Sequence, residues 1–235
     1  MIRAPGELSA ERVVVVAPHP DDESLGCGGL IATLARRGCR FHVVFTTDGG
    51  ASHLNSPTWP RQRLVAQRER EADDALCRLG LGTQARSFLR LPDAAMPKPA
   101  SSEGQRALTA MRDIIVGLNP DLVLLPWRRD PHCDHRDSWR LTVDALQQAG
   151  VYPPILEYAI WLDELAAEED RPLPGEAERV VFDIASFLPL KRWAIAAHLS
   201  QTTSLIDDDP EAFRLAPETI ERLTGPEEAY WSVLT

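Results

Sequence analysis

The 235-residue sequence has few cysteines, a deficit of basic residues and no long apolar run. Its four cysteines include no C-x-x-C pair and are too sparse for a disulfide scaffold, so we expect them to be reduced. Lys and Arg number 25 against 35 Asp and Glu, and the formal net charge of -10 argues against nucleic acid or anionic lipid as a partner. No stretch approaches the roughly 18–20 apolar residues of a membrane span, which argues against a membrane protein.

The first residues, MIRAPGELSAERVVVV, lack the basic start and apolar stretch of a signal peptide, so we expect a cytoplasmic protein. At 44% hydrophobic residues the chain can bury a sizeable core, which predicts a single domain over residues 1–235. We expect its core at 12–201, with 202–235 as a C-terminal extension packed on it. A small neutral or cationic ligand suits the charge, and the oligomeric state stays open, a homo-oligomer included.

Strand-like and helix-like segments alternate along much of the chain. Strand patterns occur at 12–17, 40–46, 86–91, 121–126, 155–161 and 179–184, and helix patterns at 24–37, 61–79, 104–118 and 135–149. This alternation predicts βαβ crossovers and therefore an α/β fold with a mostly parallel sheet. Residues 163–177 are acidic, contain prolines and have no apolar period, so they predict a solvated connector.

Histidines and acids follow two of these strands. His19, Asp21 and Asp22 follow the first strand, and His132 and His135 follow the fourth. Ligands of open parallel sheets bind beyond the carboxyl ends of the strands, where these loops would meet. Two imidazoles and one carboxylate leave coordination positions open, as in a catalytic Zn²⁺ or Fe²⁺ site, and Asp21 is placed to act as a general base on water there.

A helix-capping role and three other kinds of site are alternative interpretations of these residues. Acids after a strand often only cap the next helix. The same residue types also suit a metal-dependent phosphoesterase, which metal stoichiometry would distinguish. A catalytically silent sugar- or nucleotide-binding module is opposed by Asp21, because binding alone requires no base. The glycines of GCGG (26–29) do not give the G-x-G-x-x-G of a dinucleotide site, and the preceding acids would repel a pyrophosphate.

Two motifs carry a resemblance to a known family. APHPDDESLGCGG resembles the A-H-P-D-D-E signature of the PIG-L/LmbE-like metal-dependent deacetylases, and DPHCDH resembles that family's second signature, usually His-Pro-Asp-His. The resemblance continues through TTDGGAS (46–52), the R-x-x-E of Arg68 and Glu71, LPD (91–93) and KRWAIAAHLSQ (191–201). It implies a Rossmann-like three-layer fold and removal of an N-acetyl or other N-acyl group from an N-acetylglucosamine-type conjugate.

The resemblance also implies residue roles. It matches His19, Asp22 and His135 to the ligands of one divalent metal, Zn²⁺ ahead of Fe²⁺, and Asp21 to the general base that activates water at that metal. It matches His132 to the histidine that stabilises the oxyanion or protonates the leaving amine, with Asp134 orienting it.

Further positions have both a functional and a structural interpretation. Arg68 and Asp93 match positions that hold sugar hydroxyls, but Arg68 also suits an ion pair with Glu71 on a solvated helix face, and Asp93 a turn after proline. His198 matches a recurrent family histidine and is a candidate for the residues packed beneath the site.

Three more side chains lie near the motifs without a firm role. Trp59 and Trp127 could stack on a sugar or lie at a subunit contact. Cys133 replaces the proline usual between the two downstream histidines, and we favour a small buried residue there.

Overall fold

The computed structural model describes residues 2–233, which form one sheet of eight strands. In chain order the strands are β1 (Ile2–Arg3), β2 (Arg12–Ala17), β3 (Arg40–Thr47), β4 (Ala85–Leu91), β5 (Leu122–Pro126), β6 (Ile155–Tyr158), β7 (Ala177–Asp183) and β8 (Glu227–Val233). They lie in the order β1-β7-β8-β6-β5-β2-β3-β4. Neighbouring strands are parallel except where β8 pairs with β6 and with β7. The expected mostly parallel sheet is confirmed.

Helices cover both faces of this sheet. They are α1 (Asp22–Arg36), α2 (Arg61–Arg78), α3 (Ser102–Leu118), α4 (Cys133–Ala149), α5 (Leu188–Ile195), α6 (Leu199–Thr202) and α7 (Pro217–Leu223). Because side chains alternate along a strand, Val13 and Val15 of β2 face a core built with α1, α2 and α5, while Val14 and Val16 face one built with α3 and α4. Residues 13–17 of β2 are therefore fully buried between the two helix layers of the predicted three-layer fold.

The glycines of GCGG allow α1 to pack closely on its neighbours. A Cβ atom at Gly26 would lie 2.3 Å from Cδ2 of Tyr158, and one at Gly29 would lie 2.7 Å from Cβ of Ile184. Tyr158 is itself fully buried and donates its hydroxyl to the carbonyl oxygen of Val16. These glycines therefore serve helix packing against a side chain, which agrees with the rejection of a dinucleotide loop.

The C-terminal part of the chain contributes to the sheet itself. Residues Glu227–Val233 form β8, which lies between β6 and β7 and carries the sheet's only antiparallel pairings among the described residues. The strand predicted at 155–161 ends at Tyr158, and the connector that follows at 163–177 is largely exposed, as expected. Among residues 2–233 no helix combines the length and the apolar character needed to cross a lipid bilayer.

Candidate metal and catalytic centre

The two sequence motifs meet at the carboxyl edge of the sheet. His19, Asp21 and Asp22 lie between the end of β2 and the first residue of α1, whereas His132 and His135 lie at the start of α4, after β5. Since β2 and β5 are adjacent parallel strands, the loops at their carboxyl ends are neighbours. Residues more than a hundred positions apart in sequence therefore share one site.

His19 and His135 both face the carboxylate of Asp22. Nδ1 of His19 lies 3.2 Å from Oδ2 of Asp22, and Nε2 of His135 lies 3.3 Å from the same oxygen. Asp22 and His135 are buried, and neither ring nitrogen of His135 has a hydrogen-bond partner among the described residues. Buried polar atoms are normally satisfied, and imidazole nitrogen with carboxylate oxygen is a donor set that divalent metals accept. The three side chains fit a metal ion.

Further ligand-type atoms surround His19. One ring nitrogen from each of His19, His132 and His135 lies within 4.8 Å of the others, and His19 forms a similar group with Asp93 and Asp134. Nε2 of His19 lies 3.2 Å from Oδ1 of Asp93 and 3.0 Å from Oδ2 of Asp134. The centre thus contains two more carboxylates than the predicted ligand set.

Asp130 belongs to the site, although sequence reasoning gave it no role. Its buried carboxylate accepts hydrogen bonds from the backbone N–H groups of His132, Ile160 and Trp161, and one oxygen lies 3.4 Å from Nδ1 of His135. A carboxylate behind a histidine ligand fixes the orientation of the ring. Although burial lowers the pKa of His135, the carboxylates of Asp22 and Asp130 raise it to about 9. The only sequence signal was its position two residues before His132.

Asp21 has an unusual backbone conformation. Its φ is 139°, a value that side-chain-bearing residues rarely adopt, and its backbone N–H donates to Oε2 of Glu23 at 3.0 Å. Oδ2 of Asp21 accepts a hydrogen bond from Nη2 of Arg68, also at 3.0 Å. Burial raises the pKa of Asp21 to about 6, although the guanidinium of Arg68 lowers it. A carboxylate with a pKa near neutrality suits a general base.

A second layer of polar residues supports the backbone of Asp21. Glu23 is fully buried and accepts a hydrogen bond from the hydroxyl of Ser24 at 2.6 Å. Its Oε1 atom lies 3.1 Å from Nε2 of His198. His198 is also fully buried. The structure therefore places His198 beneath the site, where it contacts Glu23 and not the cavity.

The guanidinium of Arg68 forms hydrogen bonds with the protein itself. It donates to two backbone carbonyl oxygens and to the carboxylate of Asp21, and only 3% of the surface of Arg68 is exposed. The alternative of an Arg68–Glu71 ion pair on a solvated helix face is wrong, because Glu71 is also buried and accepts both the N–H and the hydroxyl of Ser200. Nε of Arg68 is left without a partner among the described residues. Arg68 therefore lines the cavity chiefly as a support for Asp21.

The remaining polar positions line the site in different ways. Asp93 accepts the N–H of Ala51 through Oδ2 at 2.8 Å, beside its contact with His19. The carboxylate of Asp134 contacts His19 and accepts the N–H of Ala94 at 2.8 Å, so the expected carboxylate contact with His132 is replaced. It is the backbone N–H of Asp134 that donates to Nδ1 of His132. Burial lowers the pKa of His132.

The tryptophan that borders the cavity is neither of the two considered in the sequence analysis. Trp127 is fully buried and donates its indole N–H to the carbonyl of Asp170, so both alternatives for it, stacking on a sugar and a subunit contact, are wrong. Trp59 lies outside the cavity lining, with the guanidinium of Arg63 3.9 Å from its ring centre. Trp161 lines the cavity instead. The sequence pattern predicts Trp161 as the last residue of a strand, whereas it follows the observed end of β6.

Together these residues define a buried histidine–carboxylate centre at the sheet edge, a class of site used by metal-dependent hydrolases. Comparison with family models gives a match over residues 14–146 to "PIG-L: GlcNAc-PI de-N-acetylase". This match covers more than half of the chain, and the chain therefore belongs to the PIG-L family. The family expected from the two sequence motifs is confirmed.

Individual relatives agree with this assignment. The chain is 30% identical, over 83% of both chains, to the 1D-myo-inositol 2-acetamido-2-deoxy-alpha-D-glucopyranoside deacetylase of Rhodococcus jostii strain RHA1. Among solved structures, N,N'-diacetylchitobiose deacetylase from Pyrococcus horikoshii superposes with a TM-score of 0.63 at 24% identity, over 82% of this chain and 71% of that one. The 4-carboxy-2-hydroxymuconate hydratase GalB of Pseudomonas putida superposes with a TM-score of 0.68 at 19% identity, over 95% of each chain. The fold thus carries more than one reaction.

Proposed function

We propose that the protein is a metal-dependent N-deacetylase that hydrolyses the N-acetyl, or another N-acyl, amide of an N-acetylglucosamine-type conjugate. Its supporting observation is that His19 and His135 both face Asp22, next to Asp21 with its unusual backbone, at the cavity that His19, Asp21 and Asp22 line. Membership of the PIG-L family and the deacetylase names of the relatives support the same reaction class. The substrate is a small amino-sugar compound.

His19, Asp22 and His135 are the proposed ligands of one divalent metal, Zn²⁺ ahead of Fe²⁺. When bound, such an ion supplies Lewis-acid polarisation of the amide carbonyl. Asp21 takes a proton from the attacking water, because its carboxylate faces the cavity and its pKa lies near neutrality. The water oxygen forms a bond to the carbonyl carbon, and the C–N bond then breaks.

His132 and three further residues complete the proposed mechanism. His132 lines the cavity and accepts a backbone N–H at Nδ1, which leaves Nε2 to donate to the oxyanion or to the leaving nitrogen. The amine departs with one added proton, and the acetate keeps the oxygen from water. Asp134 positions the imidazole of His132 through its backbone N–H, while Arg68 positions the carboxylate of Asp21. Asp93 is the proposed contact for sugar hydroxyls.

We propose further that residues 1–235 form one domain. The supporting observation is the single sheet, in which β8 from the predicted extension pairs with two strands of the predicted core. The extension at 202–235 is then not only packed on the core but partly built into it.

Metal content and acetate release test the proposed function. We expect one metal per chain, acetate release from N-acetylglucosaminides that a chelator abolishes, and much slower release from simple N-acetyl amines. His135→Ala should lose both metal and activity. His42→Ala is the matched control, because His42 is bonded to Ser87 on β4 and lies outside the cavity. Unchanged metal content in His135→Ala, or two tightly bound metals with hydrolysis of phosphate esters, would favour the phosphoesterase alternative.

A further inference from the structure

The cavity beside the proposed catalytic residues is lined by two chemically different groups of side chains. It has a volume of about 370 Å³, within the range of small-molecule sites. One group is ionisable and consists of His19, Asp21, Asp22, Arg68, Asp93 and His132. The other is formed by Leu25, Trp161, Leu165, Phe213 and Leu215, which we call the apolar wall. Four of these five side chains have no polar atom and Trp161 has only its indole N–H, so the wall offers the hydroxyl groups of a sugar at most one hydrogen-bond donor.

The apolar wall extends from the interior to the rim of the cavity. Leu25 and Leu215 are buried at its inner end. Leu165 and Phe213 are 65% and 46% exposed at its outer end, in a chain with a net charge of -10. Large apolar side chains left in water beside a catalytic centre can stabilise a ligand by burial of their surface.

Backbone contacts hold the wall in place without a ligand. The N–H of Leu165 donates to the carbonyl of Trp161 at 2.9 Å, and the N–H of Phe213 donates to the carbonyl of Ser52 at 2.8 Å. The rings of Trp161 and Phe213 meet edge to face, with their centres 5.8 Å apart. Two loops that are distant in sequence are therefore joined at the cavity. A preformed surface of this kind lowers the ordering cost of binding.

We propose that the natural substrate carries an alkyl or aryl group that packs against the apolar wall while its amino-sugar amide lies at the catalytic centre. This inference rests on the proposed deacetylase function and specifies its substrate class. The wall belongs to the same cavity as the catalytic groups, so the group that covers it is part of the same molecule as the amide. Such a group is either a long N-acyl chain or an apolar aglycone.

Two substrate series distinguish these sources. One compares methyl with octyl N-acetyl-β-D-glucosaminide, and the other compares N-acetyl- with N-octanoyl-glucosamine. We expect KM to fall by about tenfold or more for the longer member of one series, since each buried methylene contributes severalfold. The series that responds identifies where the apolar group is attached.

Variants test whether the wall causes the preference. Phe213→Ala should reduce the ratio of KM values severalfold. Tyr152→Ala is the matched control: it also removes an exposed aromatic ring, which is 80% exposed and lies outside the cavity, and it should leave the ratio unchanged. Calorimetric titration with octyl and methyl β-D-glucosaminide, the deacetylated products of the first series, repeats the aglycone comparison without turnover.

The outcomes separate this inference from the function on which it rests. Equal KM values in both series, with normal acetate release, would overturn the apolar subsite and leave the deacetylase intact. A preference that Phe213→Ala does not reduce would also overturn it. If the metal-loaded protein released no acid from any of the four compounds, the deacetylase function itself would be wrong.

Discussion

Asp21, the proposed general base, is held in a conformation that few side-chain-bearing residues adopt. Its φ of 139° is costly for a side-chain-bearing residue, and it persists because Glu23 holds its N–H and Arg68 holds its carboxylate. Asp22 next to it faces both His19 and His135. Adjacent aspartates thus point to different partners, which is the physical basis for giving them different roles.

Substitution of these two aspartates tests the division of roles. Asp22→Ala should lose metal affinity, because it removes the carboxylate that both histidines face. Asp21→Asn should keep the metal and bind substrate but lose on the order of 10²–10⁴ in turnover, since an amide cannot accept the proton of water. Metal content and kcat of both variants provide the measurement. Near-wild-type turnover in Asp21→Asn would transfer the base role to another group, with His132 the next candidate.

At the scale of the element, the N-terminal half of α1 is shaped by contact with the sheet. Gly26 leaves space that the ring of Tyr158 fills, and Tyr158 in turn reaches the carbonyl of Val16 in β2. This packing sets the distance between α1 and the strands, and α1 begins with the proposed ligand Asp22. A short sequence of small residues thereby affects the catalytic centre.

We expect Gly26→Ala to destabilise the fold by roughly 1–3 kcal/mol, because the new methyl would overlap a buried ring. Gly117→Ala in α3 is the matched control. Apart from the neighbouring residues and backbone of α3 itself, no atom of residues 2–233 lies within 4 Å of a Cβ at that position, so alanine should be neutral or stabilise by up to about 1 kcal/mol. Urea unfolding of both variants measures the difference. Equal stabilities would show that α1 can move away from Tyr158 at little cost.

Prediction of the elements from sequence succeeded where the signal was local. The four long helices and the strands β2 to β5 follow from apolar periodicity, and their observed ends lie within two residues of the predicted ones. The strand β8 was missed, because EEAYWSV contains two acids and its burial depends on two partner strands elsewhere in the chain. Glu228 in this strand is nevertheless buried.

For the whole molecule, Glu228 joins parts of the chain that are far apart in sequence. Its carboxylate accepts a hydrogen bond from Nζ of Lys191 in α5 at 2.7 Å, and from the backbone N–H groups of Gly29 and Leu30 in α1. The hydroxyl of Tyr230 also donates to it. The C-terminal strand is thus tied to the helix that starts at the catalytic centre.

Glu228→Gln should reduce the free energy of unfolding by about 3 kcal/mol. This is the lower end of the loss expected when one partner of a buried ion pair is removed, because the Gln amide keeps one acceptor oxygen. Lys191 would then be buried without a counter-charge. Glu178→Gln in β7 is the control, since its contact with Arg3 is exposed and should contribute less than about 1 kcal/mol. Denaturant unfolding provides the measurement, and equal losses for the two variants would contradict a structural role for the buried pair.

The sequence by itself determined the alternation of strands and helices, the family and the candidate residues His19, Asp21, Asp22, His132 and His135. These follow from short-range patterns, which adjacent residues carry. Only the tertiary structure decided that Arg68 bonds to Asp21, that Asp130 lies behind His135, and that five large apolar side chains line the same cavity as His19 and Asp21. Each of these depends on contacts between segments far apart in the chain, and the residue types involved are equally common in solvated helices, turns and cores.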